Sequence, residues 1–150
     1  MLVLDLMQWS RFLKTRIRET QQQVFDPVRR KWVAFAPEEM VRQLLILYFI
    51  QERHFPASRM SVERKLEVLG MPRRYDLVLY DTRAMPVLLA ECKAPTVNIS
   101  QASLDQIARY NITLKVPYIL VTNGRQSFCC NIDFETQSWK FLDSIPEMLK

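Results

Sequence analysis

The chain is 150 residues long, 49% hydrophobic and 25% charged, which fits one globular domain with a substantial core. Its longest apolar run, residues 44–50, is far shorter than the roughly twenty residues of a bilayer span, and the N-terminus lacks a secretory pattern, so neither a membrane span nor export is expected. The formal charge is +5, of which residues 1–36 carry +4 through seven basic and three acidic side chains; this bias suits a phosphate backbone, but a solvated helix surface explains it as simply, and no aromatic interleaving selects the former.

Leu6, Trp9, Leu13 and Ile17 recur at helical spacing, predicting an amphipathic N-terminal helix that fades into Gln21-Gln22-Gln23. Residues 1–24 therefore read as a helical extension and 25–150 as the main domain, with a turn at Asp26-Pro27. Pro37-Glu38-Glu39 opens a second helix, whose stripe of Val41, Leu44, Leu45 and Tyr48 faces the core and which ends near Phe55-Pro56. Short strands follow at 61–69, 75–80 and 87–93, and they read as an antiparallel meander. A helix over 102–115 leads into the apolar strand 118–122, and strand, helix, strand favours a right-handed crossover onto a parallel neighbour. Residues 127–132 and 139–142 read as edge strands, giving an α/β domain with a mixed sheet.

Cysteine and histidine usage narrows the chemistry. Three cysteines, two of them adjacent (Cys129 and Cys130), form neither a disulfide framework nor a zinc spacing, so a reducing cytoplasm is expected. His54 is the only histidine, which excludes any site needing two His ligands.

Carboxylates remain. Alternate side chains of a strand share a face, so Glu91 and Lys93 point together while Cys92 points away, and Asp76 on the preceding strand reaches the same end of the sheet. Each has an ordinary reading as an ion pair, Glu91 with Lys93 and Asp76 with Arg73 or Arg74. Together, charges that continue the buried run 87–90 call for a partner or a metal. Asp76 and Glu91 would offer hard oxygen ligands to Mg²⁺, which could acidify a bound water and neutralise charge on a scissile phosphate. Lys93 would orient that water and stabilise the transition state; whether it also moves a proton depends on burial set against the nearby carboxylates. Gln106 and Tyr110, at i and i+4, share a helix flank and could position Lys93, the metal water or a phosphate. Of the helix-opening acids, Glu38 lies nearer the apolar stripe than Glu39 and is the better third acidic contributor.

Asp76, fourteen residues, then Glu91-Cys92-Lys93 resembles the PD-(D/E)xK nuclease motif, and Gln106 to Tyr110 matches the QxxxY motif of its RecB-type branch. Asp26-Pro27-Val28-Arg29-Arg30-Lys31, residues 37–43, Glu91-Cys92-Lys93-Ala94-Pro95 and Thr122-Asn123-Gly124 look like stretches of one subgroup, the N-terminal nuclease domain of type I restriction enzyme R subunits, and especially its short standalone bacterial forms. The resemblance runs from about Phe25 to about Leu142 and departs from the motif where Tyr75 replaces proline.

It implies a restriction-endonuclease-like mixed central sheet flanked by helices. Asp76 and Glu91 would be metal ligands for Mg²⁺, with Mn²⁺ as a substitute, Lys93 the catalytic lysine, and Gln106 and Tyr110 in support; Glu38 joins them from its wheel position alone. DNA is the implied substrate, with Arg29, Arg30, Lys31, Arg73 and Arg74 as candidate backbone contacts. The sequence has no Gly-rich phosphate loop and only two glycines, so a motor or specificity function would come from a separate subunit. Two alternatives remain open: a catalytically silent DNA-binding or assembly module, and a structural interaction domain using the stripe around Leu6, Trp9 and Leu13.

Overall fold

The structure, a computed structural model, describes residues 2–68 and 70–147, and for Val68, Tyr110 and Thr113 the backbone only. A six-stranded sheet organises it in the order β4-β5-β6-β7-β8-β9. Strands β4 (Met60–Val68), β5 (Met71–Tyr80) and β6 (Pro86–Cys92) form the expected antiparallel meander. Helix α2 (Gln101–Asn111) then carries the chain to β7 (Tyr118–Thr122), which pairs parallel to β6. Strands β8 (Ser127–Asp133) and β9 (Ser138–Leu142) complete the sheet antiparallel. Of the two strands expected at the edge only β9 lies there; β8 is enclosed between β7 and β9, and Cys129, Cys130 and Ile132 are correspondingly buried.

Each face of this sheet is covered by one helix. Helix α1 (Pro37–Gln51) lays Val41, Leu44, Leu45 and Tyr48 on Leu77, Leu79, Leu88, Ala90, Cys92 and Leu120. On the other face α2 sets Leu104, Ile107 and Ala108 against Tyr75, Val78, Leu89, Ile119, Val121 and Cys130. Burying each such large side chain contributes roughly 1.5–3 kcal/mol, so these two layers supply most of the hydrophobic stabilisation. Ser100 caps α2 by accepting from the Ser103 amide, and α1 starts on Pro37 at its first turn.

The N-terminal region departs from the helical reading. A 3-10 helix spans only Leu6–Phe12; Asp5 caps it, and Trp9 packs edge-to-face on Tyr48 with ring centroids 5.1 Å apart. Beyond Leu13 the chain is extended, and β1 (Thr15–Arg18), β2 (Gln21–Asp26) and β3 (Lys31–Ala34) form a separate antiparallel sheet. Thr15-Arg16-Ile17-Arg18 alternates with a period of two, and Glu19 and Thr20 both take positive φ in a tight hairpin turn. Ile17, assigned by spacing to a buried stripe, is 77% exposed on β1. The boundary drawn between residues 24 and 25 falls inside β2.

Candidate active site

The carboxylates meet where β5 and β6 separate. Their ladder runs to Leu77↔Ala90, and the next positions along the two strands are Asp76 and Glu91. The Cys92 amide, instead of continuing the ladder, donates to Asp76 Oδ2 at 2.7 Å, while the Lys93 amide donates to the Thr122 carbonyl at 2.9 Å. β6 thus parts from β5 while remaining paired with β7 at the point where Asp76, Glu91 and Lys93 are presented. Cys92 is fully buried on the α1 side, as strand alternation requires.

β5 also turns over at this point. Tyr75 and Leu77 are two residues apart and should share a face, yet Tyr75 packs with α2 and Leu77 with α1. Across from Asp76, between the pairs Val62↔Leu77 and Arg64↔Tyr75, Glu63 takes a left-handed φ of 57° in the middle of β4. For a residue with a Cβ this costs about 1–2 kcal/mol. Tyr75, standing where the motif has proline, is buried and its hydroxyl donates to Asn111 Oδ1, tying β5 to the end of α2.

Electrostatically the two carboxylates are under-compensated. Burial pushes Asp76 above the ordinary carboxylate range and Glu63 adds to this, against the Cys92 amide, Arg42 and Lys93. Burial also raises Glu91, followed by repulsion from Asp76; Lys93 and Arg73 oppose the rise, and Glu38 reinforces it. Glu38 is exposed at the start of α1 and acts on Glu91 only through this field.

Beside this pair lies a saturated network built from two i,i+3 ion pairs, Asp26–Arg29 and Glu39–Arg42, that the fold joins together. Asp26 Oδ2 meets Arg29 Nε at 2.5 Å, Arg29 Nη2 meets Glu39 Oε1 at 2.6 Å, and Arg42 grips Glu39 through Nε at 2.7 Å and Nη2 at 2.9 Å. Glu39 titrates below its ordinary value: burial works against its charge, but hydrogen bonds from Arg42 and Arg29 prevail. Arg42 then reaches Glu63 and Asp76, each at 3.5 Å, joining the network to the candidate site. Arg29, expected to face DNA, is therefore engaged by Asp26, Glu39 and, at 3.8 Å, Glu63. Arg30, Lys31 and Arg74 are exposed, and Arg73 is half-buried within the field of Glu91.

Gln106 is exposed and lines a shallow groove with Ala102, Asp105 and Arg109; among the described residues no hydrogen bond joins it to Asp76, Glu91 or Lys93. The Tyr110 side chain lies outside the described residues. An arginine within the apolar stripe of α1 was the available signal for Arg42; nothing in a strand pattern marks Glu63.

Among the described residues no three His, Cys, Asp or Glu side chains are gathered as a ready ion cage. Two carboxylates are nevertheless the donor set that Mg²⁺ commonly uses, with waters and substrate phosphate completing its shell. Asp76 and Glu91 supply hard oxygens whose negative charge is disfavoured as they stand, so the residues fit a divalent cation.

A family model described as type I restriction enzyme R protein N terminus matches residues 37–146. The chain belongs to that family. The matched span holds α1, the whole six-stranded sheet and every residue of the β5–β6 junction, while β1 to β3 precede it. Membership ties the chain to restriction. No curated protein matches it significantly. Among the described residues no helix is long and apolar enough to cross a membrane.

Proposed function

We propose that the chain is a Mg²⁺-dependent deoxyribonuclease, with Mn²⁺ as a working substitute, that acts with separate motor or specificity subunits in the cytoplasm. The observation that carries this reading is the meeting of Asp76, Glu91 and Lys93 at one strand junction, with both carboxylates resisting ionisation. Asp76 and Glu91 would hold the metal, which when bound lowers the pKa of a water and neutralises phosphate charge. The Cys92 amide fixes the Asp76 carboxylate, and Arg42 sits against its other oxygen, so the carboxylate keeps one orientation. Lys93 follows Glu91 at the same junction and acts on both acids through its charge; there it would orient the attacking water and stabilise the added negative charge of the pentacovalent phosphate. Glu38 adds negative potential at the mouth of the site. Gln106 and Tyr110 would position substrate from α2, and Arg30, Lys31, Arg73 and Arg74 would contact the DNA backbone; Arg29 serves instead to brace Glu39.

Incubation with supercoiled, linear and single-stranded DNA in Mg²⁺ or Mn²⁺ tests the proposal. Cleavage should vanish with EDTA and in the double variant Glu91→Ala, Lys93→Ala. Absence of cleavage under every condition, with salt-dependent binding that survives in the double variant, would favour the silent DNA-binding module or a requirement for the separate motor subunit.

A further inference from the structure

The aromatic interleaving missing from the linear sequence is created by strand pairing in the three-stranded sheet. In the registers Arg16↔Gln23, Arg18↔Gln21 and Phe25↔Trp32, these six side chains share one face of the sheet. The opposite face carries Val24 and Asp26, both buried. On the outer face the Phe25 and Trp32 rings lie edge to face, with centroids 5.5 Å apart. The Arg16 guanidinium stands 4.2 Å above the Trp32 centroid, and its Nε donates to Gln23 Oε1 at 2.8 Å. The Lys14 ammonium sits over both rings, 5.2 Å from Phe25 and 5.8 Å from Trp32. Lys14 and Arg18 are exposed and Arg16 is half-exposed.

We propose that this face, through Lys14, Arg16 and Arg18 held over Phe25 and Trp32, binds the phosphate backbone of duplex DNA that flanks the cleaved segment. Three features select that partner. The cations recur at every second residue, forming a row with a pitch of about 7 Å that suits a linear polyanion rather than a compact anion. Among the described residues none of the three has a carboxylate ion-pair partner, and Glu19, in the turn, is the only acid in residues 14–25. The rings and Gln23 hold two of the cations in place before binding, which reduces the side-chain freedom lost on association. The proposed contact is to phosphate, which positions a protein on the duplex without carrying sequence information. The identity of the polyanion rests on the nuclease reading; the binding face itself precedes the family span of residues 37–146.

The test is fluorescence anisotropy with a short labelled duplex in EDTA across a salt series. Each phosphate contact contributes about 0.9 to the slope of log affinity against log salt. The triple variant Lys14→Gln, Arg16→Gln, Arg18→Gln should lose roughly two to three units of that slope and bind at least about tenfold more weakly at low salt. A matched triple, Lys65→Gln, Lys115→Gln, Lys140→Gln, removes exposed cations elsewhere and should leave the slope nearly intact. Equal losses in both triples would overturn the proposal in favour of general charge, and so would an unchanged slope in the first. Should the first triple fail to fold, Arg18→Gln alone should lower the slope by about 0.9, and no change there would overturn it. Cleavage with an unaltered slope would remove this surface and leave the nuclease standing; a lowered slope without cleavage would do the reverse.

Discussion

Two groups of charge, one buried and one half-buried, lie side by side in this fold and are wired oppositely. Around Glu39, carboxylate and guanidinium groups satisfy one another at 2.6–2.9 Å, and Glu39 titrates below its ordinary value. At Asp76 and Glu91 both carboxylates titrate above theirs, because burial, with repulsion from Glu63 at Asp76 and from Asp76 at Glu91, exceeds what the Cys92 amide, Arg42, Lys93 and Arg73 return. The first group is complete and braces β2 and β3 against α1. The second is short of positive charge, which agrees with the cation site proposed for it.

The comparison sharpens under substitution. Glu91→Gln should lower Mg²⁺-dependent cleavage at least about a hundredfold, the scale of losing a charge partner of the transition state. The same change should leave stability unaltered or raise it by less than about 1 kcal/mol, because it removes a repelled charge. Cleavage rates and urea melts on one preparation measure both, and a destabilised Glu91→Gln protein would erase the distinction. Glu39→Ala is expected to act the other way. It leaves Arg42 and Arg29 with buried charge and should destabilise by roughly 3–5 kcal/mol, seen as a lower urea midpoint.

The two groups also predict opposite pH behaviour. Asp76 and Glu91 hold protons more tightly folded than unfolded, so their contribution favours the fold below the ordinary carboxylate pKa and is lost as pH rises through their raised values. Glu39 holds its proton less tightly when folded, so its contribution is present above the ordinary pKa and is lost as pH falls through the lowered value. Metal-free Glu91→Gln protein should therefore gain stability relative to the parent as pH rises from mildly acidic to neutral. Mg²⁺ binding should release protons over the same mildly acidic range, measurable by calorimetry in buffers of different ionisation enthalpy.

The meander, the parallel return and the start of α1 were legible because each rests on local periodicity and punctuation, as Pro37 and the stripe from Val41 to Tyr48 show, whereas α1 stops at Gln51 rather than near Phe55-Pro56. The juxtaposition of Asp76 with Glu91 was legible for the same reason, since a meander brings consecutive strands together. The N-terminal sheet was misread because Leu6, Trp9, Leu13 and Ile17 satisfy a helical period by coincidence, while pairing with β2 decides the strand. The pairs Asp26–Arg29 and Glu39–Arg42 stand at i,i+3 and were locally readable, but their joining through Arg29–Glu39 and their extension to Glu63 and Asp76 arise only through tertiary packing. Glu38 was preferred over Glu39 on wheel position alone, yet Glu39 is buried among arginines while Glu38 stays exposed.

Glu63 sits on the border of the two groups, and its replacement has the smallest expected effect. Glu63→Gly relieves a left-handed backbone at a position that a Cβ resists, a gain of about 1 kcal/mol or less. The ion pairs lost, 3.5 Å to Arg42 and 3.8 Å to Arg29, involve a half-exposed carboxylate and offset only part of that gain. Removing Glu63 also withdraws one of the charges that raise Asp76, so the Asp76 pKa should fall toward the ordinary range. A small rise in urea midpoint together with that shift would assign Glu63 to the active-site side, where strain is retained for charge. A loss of more than about 1 kcal/mol would instead make it a working member of the arginine network, and the border would move to Asp76.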